Sequence, residues 1–248
     1  MPASRYTSTL HRRERVDRRM AQRDHDIYAS LPVRGLLAEE TAALAPDLQR
    51  CTGSHALQVS AARHDYPPAL PMLGGWVRLR LTRAGYEGDL RGDAGEPLPF
   101  ADDTFGLVLL RHAVETAPSA RVLLHEAARV LAPGGLLALT GVHPFSAWTP
   151  WWLWRTRRSG LSLSAPMGLV RWLHDADLTV ERVRRVGSAL PAGSGDGGRS
   201  HAGPLGGGYL LIARKHRRAQ LPVRLRPKAI SHPVGAGLAP GARRSSAA

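Results

Sequence analysis

The sequence contains a single cysteine, Cys51, in 248 residues. One thiol excludes an internal disulfide framework and provides no cysteine cluster for a metal, so we predict no metal site. The chain also lacks a run of about eighteen apolar residues, which a membrane-spanning helix requires, and its beginning lacks the apolar stretch of a signal peptide. We therefore expect a cytoplasmic protein of the reducing cell interior.

Acidic residues are missing from the end of the chain. Residues 214–248 contain nine Lys and Arg and no Asp or Glu, whereas residues 27–213 contain eighteen basic and sixteen acidic side chains. The formal charge of +14 therefore belongs mainly to the ends. Abundant Pro, Gly and Ala predict a basic disordered tail over residues 216–248, and we expect a basic N-terminal extension over residues 1–27. The tail has two interpretations: non-specific contact with nucleic acid or acidic surfaces, and a solvated extension without a partner.

Glycine is missing where the first predicted strand ends. Residues 56–65 read ALQVSAARHD, a short apolar run followed by small and polar residues. Pro67, Pro68 and Pro71 come next. Proline removes a backbone donor and clashes with a helix interior, so no regular helix fits there. We expect a strand that lacks the usual following helix.

Two further patterns precede the middle of the chain. Residues 28–50 predict an amphipathic helix, with Glu39 and Glu40 on the side opposite its leucines. In WVRLRLT, residues 76–82, apolar side chains alternate with arginines, which predicts a second strand with one face in the core. The glycine-punctuated stretch YEGDLRGDAGEP leaves room for at most a brief third strand.

The clearest pattern lies between residues 98 and 142. Residues 105–110 form a continuous apolar run of strand length, which indicates a strand buried on both faces. Ser119 is placed to cap a helix whose apolar residues recur at helical spacing until Pro133 ends it. Residues 136–140 predict another strand. A strand, a helix and a strand joined by short links predict a right-handed crossover in a parallel sheet.

This part of the sequence resembles a known family. The runs GDAGEPLPFADDTFGLVLLRHAVE and LLHEAARVLAPGGLLALT are similar to class I S-adenosylmethionine-dependent methyltransferases of the type 11 methyltransferase-domain group. The similarity is strong over residues 91–142 and extends more weakly over residues 56–215. It implies an α/β fold with a Rossmann-like doubly wound, mostly parallel seven-stranded sheet whose last strand is antiparallel, in one methyltransferase-like domain over residues 28–215. Ser60 and Asp93 are too close in sequence for a complete first half, so at least one helix is expected to be lost.

The resemblance implies S-adenosylmethionine as the cofactor and methyl transfer as the reaction. Asp93 and Ala94 match the family's Asp-Ala pair, whose carboxylate receives the adenine amino group. An Asp between two glycines is also a common turn residue, which is the alternative interpretation. The family holds the ribose with an acid after the second strand, but Thr82 and Arg83 occupy that place here.

The loop after the first strand departs from the family as well. Family members have an acid and several glycines there, because a missing Cβ lets the backbone approach the ligand. Ser60 and Ala61 stand in that place and are our candidates for cofactor contact at the methionine end. Arg63 would supply positive charge for a carboxylate, or is simply a solvated loop residue. Asp65 and Glu87 are acids that would replace the missing ribose partner from elsewhere.

The residues that follow the fourth and fifth strands are candidates for the reacting end of the site. Arg111 is predicted on the cofactor and His112 as a general base near neutral pH, with a packing histidine as the alternative interpretation. His143 and Trp148 are predicted to face the substrate. The surrounding HPFSAWTPWWLW segment has three interpretations: an apolar lid, an interfacial anchor on anionic lipid, or a helix packed on the sheet.

The sequence thus predicts an S-adenosylmethionine-dependent methyltransferase acting on a small, hydrophobic molecule. The degenerate glycine loop and the missing ribose acid suggest an alternative, a methyltransferase-like binding or accessory protein without turnover. A third hypothesis, weaker than these two, is a nucleic-acid-associated protein that acts through its basic tail.

Overall fold

The computed structural model of this chain describes residues 26–191 and 205–216. All of these residues lie in one compact unit. The predicted N-terminal extension up to residue 25 and the predicted tail beyond residue 216 lie outside the described residues. Residues 192–204 do so too.

The core of the protein is a seven-stranded sheet with the order β3-β2-β1-β4-β5-β7-β6. The strands are β1 (Ala56–Ser60), β2 (Trp76–Leu81), β3 (Tyr86–Gly88), β4 (Phe105–Arg111), β5 (Leu131–Val142), β6 (Leu178–Val186) and β7 (Gly208–Lys215). β2, β1, β4 and β5 are parallel neighbours, and β7 runs antiparallel to both β5 and β6. The predicted α/β Rossmann-like sheet with an antiparallel last strand is confirmed.

Helices cover the two faces of the sheet in pairs. They are α1 (Leu31–Leu48), α2 (Ala113–Thr116), α3 (Ala120–Val130), α4 (Trp148–Thr156) and α5 (Pro166–Asp175), and a 3-10 turn at Ile27–Ala29 precedes α1. α3 and α5 pack against one face, and α1 and α4 pack against the other. β1 and β4 are buried on both faces, and the continuous apolar run of β4 predicts this burial.

The helix between β4 and β5 begins as predicted but ends earlier. The Ser119 hydroxyl accepts a hydrogen bond from the Val122 amide, which caps α3. α3 ends at Val130, and β5 begins immediately at Leu131 rather than at residue 136. The predicted stop at Pro133 therefore lies inside the irregular first part of a long strand.

The first half of the sheet is simplified. Residues 61–75, between β1 and β2, contain no helix, as the prolines predict. β3 has only three residues and is antiparallel to β2, because a tight turn at Thr82–Gly85 joins the two strands. With no helix after β1 or β2, the α1 side of these strands carries Gln58, Arg78 and Arg80 instead of apolar residues.

Candidate functional site

The candidate site lies at the carboxyl edge of the parallel strands, where open α/β sheets bind ligands. β4 ends there at Arg111, whose side chain is only 2% exposed. Its guanidinium donates to Asp65 Oδ1 at 2.9 Å and to Thr41 Oγ1 at 2.8 Å. These two hydrogen bonds come from Nη1. The other terminal nitrogen, Nη2, donates to the Leu37 carbonyl at 2.6 Å and lies 3.5 Å from Glu40 Oε2. Arg111 therefore joins β4 to helix α1 and to the loop after β1.

His112 follows in a left-handed conformation, with φ of 51°, and is completely buried. Its Nδ1 lies 2.9 Å from Glu115 Oε2, and its Nε2 lies 3.1 Å from Glu40 Oε1. Burial alone would lower the histidine pKa, but the two carboxylates overcome it and raise the pKa of His112 to about 10. At neutral pH the ring is therefore protonated and donates from both nitrogens, so it has no free nitrogen to accept a proton.

Tyr28 completes this network from the turn that precedes α1. Its hydroxyl donates to Glu115 Oε2 at 3.1 Å, and burial followed by the Glu115 charge raises the pKa of Tyr28 well above its ordinary value. The other Glu115 oxygen accepts from the Val142 amide. The six connected groups are defined here as the buried ion cluster: Tyr28, Glu40, Asp65, Arg111, His112 and Glu115.

Gly141 in β5 makes room for this cluster. A Cβ there would lie 2.7 Å from the Tyr209 hydroxyl and 3.0 Å from Glu115 Oε1. Such distances are shorter than ordinary van der Waals contacts, so a side chain at this position would displace one of the two groups. Glycine is therefore required for packing here.

Asp65 holds the loop after β1 in place. Besides Arg111, its carboxylate accepts from Gln58 Nε2 at 2.9 Å and from Ser60 Oγ at 2.8 Å. Asp65 is thus committed to the loop, and the structure gives it no orientation towards a ribose. Glu87, the other acid considered for that role, pairs with Arg80 on β2.

The loop itself turns its small residues inwards. Ala61 and Ala62 are buried in the core on the α1 side, the Ala61 amide donates to the Arg111 carbonyl, and the Ala62 amide donates to Ser60 Oγ. Among the described residues, no acceptor lies within hydrogen-bonding geometry of the backbone amides of Arg63 and His64. These amides, rather than the alanines, are the donors that the loop has available.

Asp93 and Ala94 lie in the loop that follows β3. Asp93 is exposed, and its Oδ1 accepts from the Gly95 amide at 2.9 Å, which is the turn geometry that its flanking glycines favour. Within the described part of the chain, no group donates to Oδ2, which remains available as an acceptor. Ala94 is partly buried against the core. The turn interpretation and the ligand interpretation of Asp93 are therefore compatible.

The end of β2 lacks a carboxylate, as the sequence shows. Thr82 donates its hydroxyl to the Gly85 carbonyl. The exposed Arg83 lies against Gly160 in the loop between α4 and α5, where any Cβ would collide with its guanidinium. Gly160 also has a φ of 58°, which glycine adopts without strain. Arg83 thus connects the end of β2 to this loop.

The two residues predicted to face a substrate differ in exposure. His143 is half-buried after β5; burial and then the neighbouring Arg185 lower its pKa. Trp148 is buried, and its indole nitrogen donates to the Ser188 carbonyl at 2.9 Å. Trp148 therefore fixes the segment that carries His143 rather than facing open space.

A groove of about 140 Å³ opens beside the β1 loop, on the side of β1 and β2 that lacks helices. Typical ligand pockets are larger, roughly 300–1,000 Å³, so the groove would hold only part of a cofactor-sized molecule. Its residues come from β1, β2, β3 and the loop: Gln58, Ser60, Ala62, Arg63, Asp65, Tyr66, Arg78, Leu79, Arg80, Glu87, Gly88 and Asp89.

Sequence reasoning missed Glu40 and Glu115 as members of the site. Glu40 was expected on the outer side of α1 but is fully buried, and that expectation was wrong. The available signal was its position four residues from both Leu36 and Leu44, in the buried stripe of the helix. Glu115 gave no comparable signal, because its distant partners come from the turn before α1 and from β5.

Within the described ranges, no three metal-ligating side chains are grouped, and no helix is long and apolar enough to cross a membrane. Cys51 is a free, buried thiol, and burial raises its pKa to about 11.

Comparison with known proteins defines the class of this fold. Residues 74–139 match a family model described as a methyltransferase domain. A solved methyltransferase from Thermotoga maritima, described as a possible histamine N-methyltransferase, is 16% identical with a TM-score of 0.52, covering 73% of this chain and 90% of that one. A putative methyltransferase from Bacillus halodurans is 18% identical with a TM-score of 0.51, covering 71% and 99%. No curated protein matches the chain.

The protein therefore has the class I methyltransferase fold. Residues 74–139 are similar to the methyltransferase domain of the class I S-adenosylmethionine-dependent methyltransferases, as the sequence resemblance predicted. This similarity implies S-adenosylmethionine as the cofactor.

Proposed function

We propose that this protein transfers a methyl group from S-adenosylmethionine to a small, hydrophobic molecule. The observation that carries the proposal is the Asp93–Ala94 turn beside the carboxyl edge of the sheet. Its exposed carboxylate keeps Oδ2 available for an adenine amino group while Oδ1 fixes the turn. The partly buried Ala94 offers adjacent backbone to the same base edge.

The residues present fit the cofactor at two of its three parts. The adenine part has Asp93 and Ala94. The methionine carboxylate has the unused amides of Arg63 and His64 together with the Arg63 side chain, which makes no ion pair within the described residues. The ribose has no carboxylate after β2, where Thr82 and Arg83 lie. We therefore expect binding that is weaker than a complete site would give.

Bound S-adenosylmethionine would supply a methyl carbon activated by a positively charged sulfur. In this proposal Ser60 and Ala61 contribute backbone and loop shape, and Arg111 positions the loop through Asp65. His112 holds α1 against the site, because both of its nitrogens are occupied and its pKa is about 10. Transfer would then depend on proximity and orientation, without a general base.

The acceptor side of the proposal involves the segment after β5. His143 is half-buried, and Trp148 holds the segment in place through its hydrogen bond to the Ser188 carbonyl. The lowered pKa of His143 keeps its ring neutral near physiological pH, which suits a hydrogen bond to an uncharged acceptor. We propose His143 as the acceptor-contacting residue and Trp148 as its positioning residue.

A second candidate is a methyltransferase-like binding protein without turnover. The observation that favours it is the buried ion cluster, which places charged side chains tied to one another at the ends of β1 and β4. A catalytic site would normally leave some of these groups free for ligands.

Calorimetric titration with S-adenosylmethionine and S-adenosylhomocysteine tests the first candidate. The methyltransferase proposal predicts binding of both compounds in the micromolar range or weaker. Absence of heat at every accessible concentration would remove the enzyme and leave the binding protein. Trp154→Ala, an exposed change on the outer side of α4, is the matched control and should bind as the parent does.

A further inference from the structure

Helix α4 presents large apolar side chains to solvent. Trp148 and Trp152 on its inner side are buried in the core, whereas Leu153 and Trp154 on its outer side are 54% and 60% exposed. Phe145, just before the helix, is 78% exposed. Single exposed apolar residues are ordinary, but three large ones within ten positions of one segment mark a contact surface.

Arginines without partners follow these residues directly. Arg155, Arg157 and Arg158 are exposed, and no hydrogen bond or ion pair joins their side chains to another described residue. The sequence contains no Asp or Glu between Glu126 and Asp175. The charged side chains of this segment are therefore all cations, which donate hydrogen bonds and cannot accept them.

We propose that this surface, formed by Phe145, Leu153, Trp154, Arg155, Arg157 and Arg158, docks on an anionic phospholipid bilayer. Tryptophan and phenylalanine favour the boundary between headgroups and acyl chains, and arginine donates to headgroup phosphates in the same layer. Each arginine near an anionic surface contributes about fivefold in affinity. The surface thus combines the apolar and the electrostatic contributions that reversible membrane binding needs.

A bilayer fits these residues better than a protein partner. A protein would have to supply acidic groups at fixed positions opposite three flexible arginines, whereas lipid phosphates adjust to them. The proposal does not depend on methyl transfer, since a protein without turnover would dock equally well. It adds a reason for a hydrophobic acceptor, because such molecules partition into bilayers.

Vesicle sedimentation of the full chain tests the proposal. We expect binding to vesicles of phosphatidylcholine with about a third phosphatidylglycerol, weak binding to pure phosphatidylcholine, and release as salt rises. The double variant Leu153→Ala, Trp154→Ala should lose about tenfold in affinity, since both side chains are exposed and their loss leaves the core intact. Met72→Ala, Val122→Ala removes exposed apolar residues elsewhere and should bind as the parent does.

A charge-matched pair of variants isolates the arginines from the basic ends of the chain. Arg155→Gln, Arg157→Gln, Arg158→Gln should lose at least tenfold in affinity. Arg34→Gln, Arg50→Gln, Arg91→Gln removes the same charge from exposed arginines elsewhere and should lose less than threefold. Equal losses in the two triple variants would overturn the proposal and assign binding to overall charge. Parent protein that sediments with neither vesicle, or a double variant that binds fully, would also overturn it.

Discussion

The two halves of the sheet differ in how their faces are covered. β4, β5, β7 and β6 have helices on both sides, and β4 is apolar on both faces. β1 to β3 lack the helices that would follow β1 and β2, so β2 alternates core-facing leucines with arginines. Exposed ion pairs cover the open side there, among them Arg78 with Asp89 and Arg80 with Glu87. A strand can lose its helix if polar residues replace the apolar ones beneath it.

The boundary between these halves is where charge is buried. The buried ion cluster joins the ends of β1 and β4 to α1, whereas the ion pairs of the first half lie in water. The same types of side chain should therefore differ strongly in energetic importance, because removing one partner of a buried pair leaves an uncompensated charge.

Arg111→Met tests this difference and should have the largest effect. Glu40 and Asp65 would lose their shared cation in a buried site, so the free energy of unfolding should fall by about 3–5 kcal/mol. Arg78→Met removes a half-exposed partner and should cost less than about 1 kcal/mol. Urea unfolding measures both. Similar losses for the two variants would show that burial does not separate the two regions.

The pH dependence of stability should also identify the cluster. Because folding raises the pKa of His112 from its ordinary value near 6.5 to about 10, its contribution is complete below pH 6.5 and is lost as pH rises through 10. We expect unfolding free energies of the parent to fall by about 2–4 kcal/mol more than those of His112→Gln between pH 6 and pH 10. If the free energies of unfolding of the two proteins changed with pH in parallel, this would contradict a protonated His112 in the folded protein.

Asp93→Asn should give the smallest effect, confined to ligand binding. Asparagine can still accept from the Gly95 amide and keep the turn, but it lacks the second carboxylate oxygen. Affinity for S-adenosylmethionine should fall by about 1–2 kcal/mol in calorimetry, with an unchanged melting temperature. Asp175→Asn, which changes an exposed acid at the end of α5 and outside the groove, is the control and should retain affinity. If Asp93→Asn binds as tightly as the parent, Asp93 is a turn residue alone.

The second half of the fold was predictable because its patterns are local. β4 and β5 are predicted by their apolar runs, and α3 is predicted by the helical spacing of its apolar residues and by Ser119 at its N-terminus. The loss of a helix after β1 also followed, from the prolines. The antiparallel direction of β3 was not predicted, because three residues between glycines carry no directional pattern.

The candidate site was predictable only in part. The sequence placed Ser60, Arg111 and His112 at the carboxyl edge, and the structure brings them close together there. It did not indicate that Arg111 and His112 both contact the Glu40 carboxylate from α1, because Glu40 lies about seventy positions earlier. Pairings of that kind depend on tertiary packing and leave no local signal. The predicted ligand roles of Asp93, Ala94, His143 and Trp148 stay predictions.

The long-range hydrogen bonds of α1 and of the turn before it also affect the order in which the protein folds. The pairs Thr41–Arg111 and Tyr28–Glu115 are separated by 70 and 87 positions, whereas β4, α3 and β5 follow one another directly. Closing a long loop costs more chain entropy than closing a short one, so the local strand–helix–strand unit should form first. Helix α1 should then dock on an already formed sheet, and the charged site at its carboxyl edge would be completed only in that late step.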